Sequence, residues 1–513
     1  MFFNHTNSSG TKQPKGGSSR KEGKEAPFSP SLKNNIDTFS RRLGHSSDLE
    51  IKSFVSDLAP DITMSLIYLS EMVNEQTLND FILRPLMVVK AQAEERSDDL
   101  IRLIKEQMIQ VGSTYSTDSI EEAIDMLLNG YCLMLIQEST TGLMINVSSK
   151  EGRTVSEPTT QTVLRGPQQS FNESLSTNIN LIRQIIKSPD LHIESMIIGT
   201  QTRTQIAMVY LHGIASEDVV KTIYDRLAAI EVGSILESGY IEALIQDKVY
   251  TPFPTLMNSE RPDAVAGGLL EGQIAVLVDG TPFVLLAPVT LFQFFQTPED
   301  YYHRFDIATF LRLIRFVAFL ISMLLPALYI AVTTFHQEML PTTLLITLAA
   351  QREGIPFPGL VEAMSMELTF EVLREAGVRM PRAIGPAISI VGALVLGQAA
   401  VDAGIVSAGM VMVVSFTAIS SFVIPQFNIA ISARLIRFTF MLLAGVFGFL
   451  GIVAGFLAML IHLAGLESFG VPYMSPLAPF NWSSMKDTFI RAPHKVLLKR
   501  EATNKINRSS KLE

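Results

Sequence analysis

The sequence predicts an α/β cytoplasmic region of two related subdomains followed by an α-helical transmembrane bundle. Three observations carry that expectation. The chain is soluble in character up to about residue 300, then alternates long apolar runs with short polar breaks from Leu313 to Leu466. Within the soluble part, two segments repeat one scheme of helix end, strand, turn and strand. A polar stretch broken by Pro158, Gly166 and Pro167 separates them, which is linker chemistry.

Residues 1–34 form a tail rich in Ser, Gly and Lys that lacks the ~7–15-residue apolar core of a secretory signal, so the soluble part is expected to stay cytoplasmic. Subdomain 1 spans 35–150. It opens with a strand over Ile62–Leu69 after Pro60-Asp61. A helix then ends near Asn129 with Gly130 as its stop, followed by a strand from Tyr131 to Gln137, a turn at Ser139–Gly142 and a strand at Leu143–Val147. The linker is placed at 151–172. Subdomain 2 spans 173–300 and repeats the pattern, with a strand at Leu191–Ile198 after Pro189-Asp190, a helix over Ala264–Leu270 ended by Gly272, and strands at Ile274–Val278 and Phe283–Leu286. Asp279-Gly280 suits a two-residue hairpin turn, because both central positions favour positive φ.

The helical region, 301–466, holds four apolar runs near the ~20 residues that cross a hydrocarbon core: Ile314–Phe335, Ala383–Val401, Ile405–Ile424 and Phe438–Leu463. Residues 340–379 are expected to be re-entrant or interfacial, since Leu340–Ala350 is too short to cross and the rest is charged. Arg304 and Arg312 before the first run and Arg315 at its start favour an inside position for that end. Basic residues of the tail, 467–513, favour the inside as well. So do Arg374, Arg379, Arg382, Arg434 and Arg437, and four simple crossings do not satisfy both sets.

A net charge of -9 with scattered Lys and Arg argues against a nucleic-acid partner. The single cysteine, Cys132, rules out an internal disulfide framework and reads as a buried core residue. The eight histidines are dispersed without metal-ligand spacing, and the phosphate-loop, zincin, Rossmann and nucleophile-elbow motifs are absent. No catalytic residue, cofactor or metal is expected.

The candidate functional residues lie in the helical region. Glu367, Glu371 and Glu375 recur at four-residue spacing and share a helical face. They form either an acidic vestibule that concentrates cations at a pore mouth or an interfacial helix with its charges in water. Gly385, Ser389, Ala393 and Gly397 make a small-residue stripe suited to close helix packing. On another face, Val391, Val395, Gln398 and Asp402 offer an apolar constriction followed by a polar mouth, with core packing as the competing explanation.

Several long motifs carry a family resemblance: RGPQQSFNESLSTNINLIRQ (165–184), YTPFPTLMNSERPD (250–263), LLEGQIAVLVDGTPFVLLAP (269–288) and IPFPGLVEAMSMELTFEVLREAGVRMP (355–381). Through them the chain resembles the A subunits of the GerA-type spore germinant receptors, a family that also includes a related sporulation protein. The resemblance implies a multi-pass protein of the spore inner membrane with its N-terminal domain cytoplasmic. It implies a transporter-like B subunit and a lipoprotein C subunit as partners. It further implies a homo-oligomeric channel subunit that couples nutrient sensing to monovalent cation release. A secondary transporter with helices broken near Pro341 and Pro356, or a non-conducting membrane scaffold, are the alternatives.

Overall fold

The structure, a computed structural model, describes residues 27–56, 59–88, 101–102, 104–105, 113–148, 157–158, 160–380, 395–480, 482–485 and 487–493. They fall into two compact units, 1–150 and 151–513.

In the first unit α1 (Leu32–Arg42) precedes β1 (Leu49–Ser56), β2 (Ala59–Leu69) and β3 (Thr114–Thr117), and α2 (Ile120–Leu127) leads into β4 (Tyr131–Ile136) and β5 (Gly142–Asn146). The strands form one antiparallel sheet in the order β1-β2-β4-β5-β3. Side chains alternate across a strand, and here both faces are covered. Met64, Leu66 and Tyr68 pack with Cys132 and Met134 on one side, while Ile67 and Leu69 join Phe39, Ile124 and Leu127 of the helices on the other. This is why the central strands read as nearly continuous apolar runs. Burial pushes the Cys132 thiol up and leaves it an inert core residue. Gly130, at φ 82, ends the helix where the sequence placed the stop, and a Cβ there would collide with the Met72 carbonyl oxygen.

The second unit begins with α3 (Leu175–Ile185), β6 (Leu191–Ile198) and β7 (Thr204–Leu211). There follow α4 (Glu217–Ala228), α5 (Ser238–Ile245), β8 (Met257–Ser259), α6 (Pro262–Glu271), β9 (Ile274–Val278) and β10 (Val284–Ala287). The strand order is β6-β7-β9-β10-β8, the same path as in the first sheet. The two strands that follow Pro-Asp are not equivalents: Ile62–Leu69 lies in the second strand of its sheet and Leu191–Ile198 is the first of its own. The β9–β10 connection is also longer than a two-residue turn. It runs through 279–283, and of Asp279 and Gly280 only Gly280 has positive φ. Asp279 instead accepts a hydrogen bond from the Leu175 amide, tying the loop to the start of α3.

The helical part of this unit packs around α7 (Phe305–Thr334). After it come α8 (Thr342–Arg352), α9 (Gly359–Arg379), α10 (Ala408–Val423) and α11 (Phe427–Ala464). By length and composition α7 and α11 are long and apolar enough to cross a membrane, and α10 is a shorter apolar helix.

α11 is not one rod. Gly448, with φ 61 and ψ -139, breaks it, and the chain turns back. A Cβ on Gly451 would strike the Leu443 carbonyl oxygen, and one on Gly455 would strike the Leu443 and Phe440 side chains. Along a single helix those residues would stand a turn or more apart. Ser432 bonds the Pro252 carbonyl oxygen while His462 lies 2.9 Å from Thr251, so both limbs return to the same loop. The expected span Phe438–Leu463 is therefore parts of two antiparallel arms, 427–447 and 449–464. The glycines permit their close approach, and no hydropathy sum registers a reversal of direction.

These contacts define a near end of the bundle, beside the second sheet, and a far end at the Gly448 turn, which abuts Phe335 and His336. α9 runs the whole way between them, from Leu360 against Gly445 to Arg374 beside Ser421 and Phe422. α10 runs in the same direction as α9, from Ser407 beside Tyr329 to the loop at Gln426, which meets Gln161. Gly404 sits by the Gly354 carbonyl at the far end.

A charged layer inside the helical bundle

The spacing that puts Glu367, Glu371 and Arg374 on one face of α9 aims them at α10 and the first arm of α11. Arg437 donates from Nη1 to Glu367 Oε2 at 2.5 Å and from Nε to the Ser322 carbonyl of α7 at 2.6 Å. Both side chains are at most 1% exposed. One turn nearer the sheet, Arg434 Nη1 meets Glu371 Oε2 at 3.0 Å. Arg374 then lies 4.9 Å above the Phe422 ring, a cation–π contact. Acidic groups on α9 are thus matched by cations on α11, which lets a charged helix run among apolar ones.

Glu362, on another side of α9, is fully buried and has no cation partner among the described residues. Its Oε1 accepts from the Ser407 amide at 2.6 Å and from Ser407 Oγ at 2.5 Å. Ser407 is the N-cap of α10, so the carboxylate lies at the positive end of that helix dipole. Glu362 Oε2, Glu367 Oε1, Glu371 Oε1, Arg434 Nε and Arg437 Nη2 have no hydrogen-bond partner among the described residues. Two of the layer's three carboxylates are paired with arginines, and the layer is under-satisfied in hydrogen bonds.

A second cluster fixes the near end. Asp300, 1% exposed, takes Arg312 Nε at 3.0 Å and Arg315 Nη1 at 2.8 Å. Arg312 also reaches Asp487 Oδ1 at 3.0 Å, and Tyr301 donates to Asp487 Oδ2 at 2.9 Å. Burial and the Asp487 charge push the Tyr301 hydroxyl up, so it remains a donor. Of the arginines around the start of the first apolar run, Arg312 and Arg315 are held inside by Asp300 and Asp487, whereas Arg304 meets Asp306 at the surface. Beside this cluster a cleft of about 470 Å³ is lined by Gln161, Arg261, Asp263, Gly267, Gln296 and Gln426 among others.

Of the acidic trio, Glu367 and Glu371 are enclosed with arginines, whereas Glu375 pairs with Arg379 at 2.6 Å on the surface. Only Glu375 of the three presents its charge to solvent within the single chain. The sequence could not supply the partners, because Arg434 and Arg437 lie more than sixty positions away. Gly385, Ser389, Val391 and Ala393 lie outside the described residues. Gly397 is buried, and a methyl group in place of its hydrogen would meet Val411 of α10 at van der Waals distance. Val395, Gln398 and Asp402 are exposed on the adjoining helical turns, and Gln398 Nε2 donates to Asp402 Oδ1 at 2.9 Å. Glu362, Arg434, Arg437 and the Asp300–Asp487 cluster are the residues that sequence patterning missed.

Apolar helices that reverse direction, enclose paired charges and stand on an α/β sheet define a helical bundle with a folded domain at one end, in which two helices are long and apolar enough to cross a membrane. The family model described as Bacillus/Clostridium GerA spore germination protein matches residues 37–503. Spore germination protein KA of Bacillus subtilis (strain 168) is 49% identical over 92% of this chain and 86% of its own length. From the same organism, the uncharacterized membrane protein YfkQ is 40% identical over 94% and 93%, and spore germination protein A1 is 38% identical over 85% and 89%. The crystal structure of the N-terminal domain of the A subunit of the Bacillus megaterium spore germinant receptor GerK3 is 36% identical over 52% of this chain and 97% of that one, with a TM-score of 0.42. The chain belongs to the GerA family of spore germination proteins.

Proposed function

We propose that the chain is the A subunit of a nutrient germinant receptor and that several copies assemble in the spore inner membrane into a cation-conducting pore. A transporter-like B subunit and a lipoprotein C subunit would accompany it, with the α/β region on the cytoplasmic side. The observation that carries this reading is the placement of Val395, Gln398 and Asp402 on the outside of a single apolar bundle. Polar groups at that position need water or a neighbouring copy. The apolar constriction is assigned to Val391 and Val395, the polar mouth to Gln398 and Asp402, and the helix contact to Gly385, Ser389, Ala393 and Gly397. Of the acidic trio assigned to the vestibule, Glu375, paired with Arg379 at the surface, is the member that faces solution, while Glu367 and Glu371 brace the helix that carries it.

Reconstitution of the chain in liposomes tests the reading, with stepwise cation currents expected. Val395→Ala should widen the constriction and leak without nutrient, because such gates depend on diameter and apolarity. Asp402→Asn should lower conductance without opening the gate. Coupled flux would favour a transporter, and silence a scaffold.

A further inference from the structure

At the near end of the bundle, exposed aromatic and apolar side chains gather that the described residues leave uncovered. Phe480 and Trp482 are 62% and 71% exposed, with ring centroids 5.9 Å apart. Their segment is tied down on both sides. Upstream, the Tyr473 amide bonds the Leu466 carbonyl and the Leu291 amide bonds the Tyr473 carbonyl. Downstream, Asp487 is held by Arg312 and Tyr301, while Phe489 stacks edge-on against Phe292. The aromatics are therefore held beside the ends of α7 and α11. Val249 and Tyr250 are 65% and 98% exposed in a loop pinned to the same end of α11 by Lys248 on the Gly465 carbonyl and Thr251 on His462.

We propose that Trp482 and Phe480, together with Val249 and Tyr250, seat in the headgroup layer of a lipid bilayer and set the depth of the helical bundle. A lipid surface fits better than a protein partner. The first turns of α7, which lie at the same end, also carry exposed apolar side chains, Phe310 among them. Indole and phenol, apolar with one polar edge, are the groups that favour a boundary between hydrocarbon and water. Two separate stretches of chain are tied to the same end of the bundle, where one planar boundary can meet both. The inference rests on the membrane reading above.

Trp482 is the only tryptophan in the chain, so the fluorescence of the intact protein reports on it alone. The full chain is reconstituted in phosphatidylglycerol–phosphatidylethanolamine liposomes, with and without lipids brominated high on the acyl chain. The expected result is a blue-shifted emission, lost on bromination and protected from aqueous iodide. Trp482→Phe/Tyr250→Trp should behave likewise and reports on the loop. A tryptophan open to iodide and indifferent to brominated lipid overturns the anchor. So does a blue shift that appears only when a second protein is added. Liposome flotation separates the two levels: protein that fails to float overturns the membrane reading and the anchor together, whereas floating protein with an unquenched Trp482 overturns the anchor alone.

Discussion

Glu367 and Arg437 show how a buried pair decides whether a charged helix can stand inside an apolar bundle. Removing one partner of a buried pair strands the other and typically costs ~3–5 kcal/mol, whereas an apolar pair of similar volume is often neutral. Arg437→Met should therefore lower the unfolding midpoint of the full chain in detergent, and Glu367→Leu/Arg437→Met should recover most of the loss. A double variant no better than the single would mean that Arg437 acts chiefly through the Ser322 carbonyl. Glu242, in the α/β part, makes a prediction of opposite kind. Burial, then the nearby Glu237 charge, push its carboxyl up to about 7 from the ordinary 4.5. The folded state thus holds a proton that the unfolded chain releases. Its contribution is complete below pH ~4.5 and is lost as pH rises through about 7. Glu242→Gln should leave the melting temperature little changed at pH 4 and raise it at pH 8; equal shifts at both values would show that charge is not the cause.

At the scale of elements, what the sequence makes legible follows from periodicity, and what it hides follows from distance. Strands β4, β5, β9 and β10 are visible because short continuous apolar runs follow Gly130 or Gly272, which stop the preceding helices. The passage of α9 through the bundle is hidden, because its charges look solvent-seeking until Arg434 and Arg437 are brought alongside. The α11 hairpin is hidden because an apolar run has no direction. In a continuous helix Ser432 and His462 would stand ~45 Å apart at ~1.5 Å per residue. In the hairpin both touch one loop, so Ser432→Cys/His462→Cys in a Cys132→Ser background should be joined by a short bifunctional thiol reagent. Failure to join, with both thiols reactive, would restore the single rod. Gly448→Ala should weaken the fold by ~1–3 kcal/mol, since a side chain there meets unfavourable φ and ψ as well as Phe335 and His336.

For the whole molecule, the hairpin brings Arg434 of one basic set and Arg491 of the other to the same end of the bundle as the second sheet, where a four-span scheme sets them against each other. Asp487 makes the return explicit, since its main chain and carboxylate are both held by Arg312 at the start of α7. In the membrane setting proposed above, a chain that leaves the sheet through α7 and comes back to its first turns makes an even number of passes. Tags placed at Met1 and after Glu513 should therefore be cleaved by protease from the same face of sealed vesicles, and in inverted vesicles both should respond together. One tag protected while the other is cleaved would mean an odd number of passes and would dismantle the hairpin, the clamp at Asp487 and the shared near end together. Asp487→Asn gives the graded version of the test. It leaves the main-chain bond to Arg312 but weakens the ion pair. The C-terminal tag should stay on the same face while the segment after Tyr473 becomes more open to limited proteolysis, as expected of a return segment held by a partly buried charge pair rather than by burial alone.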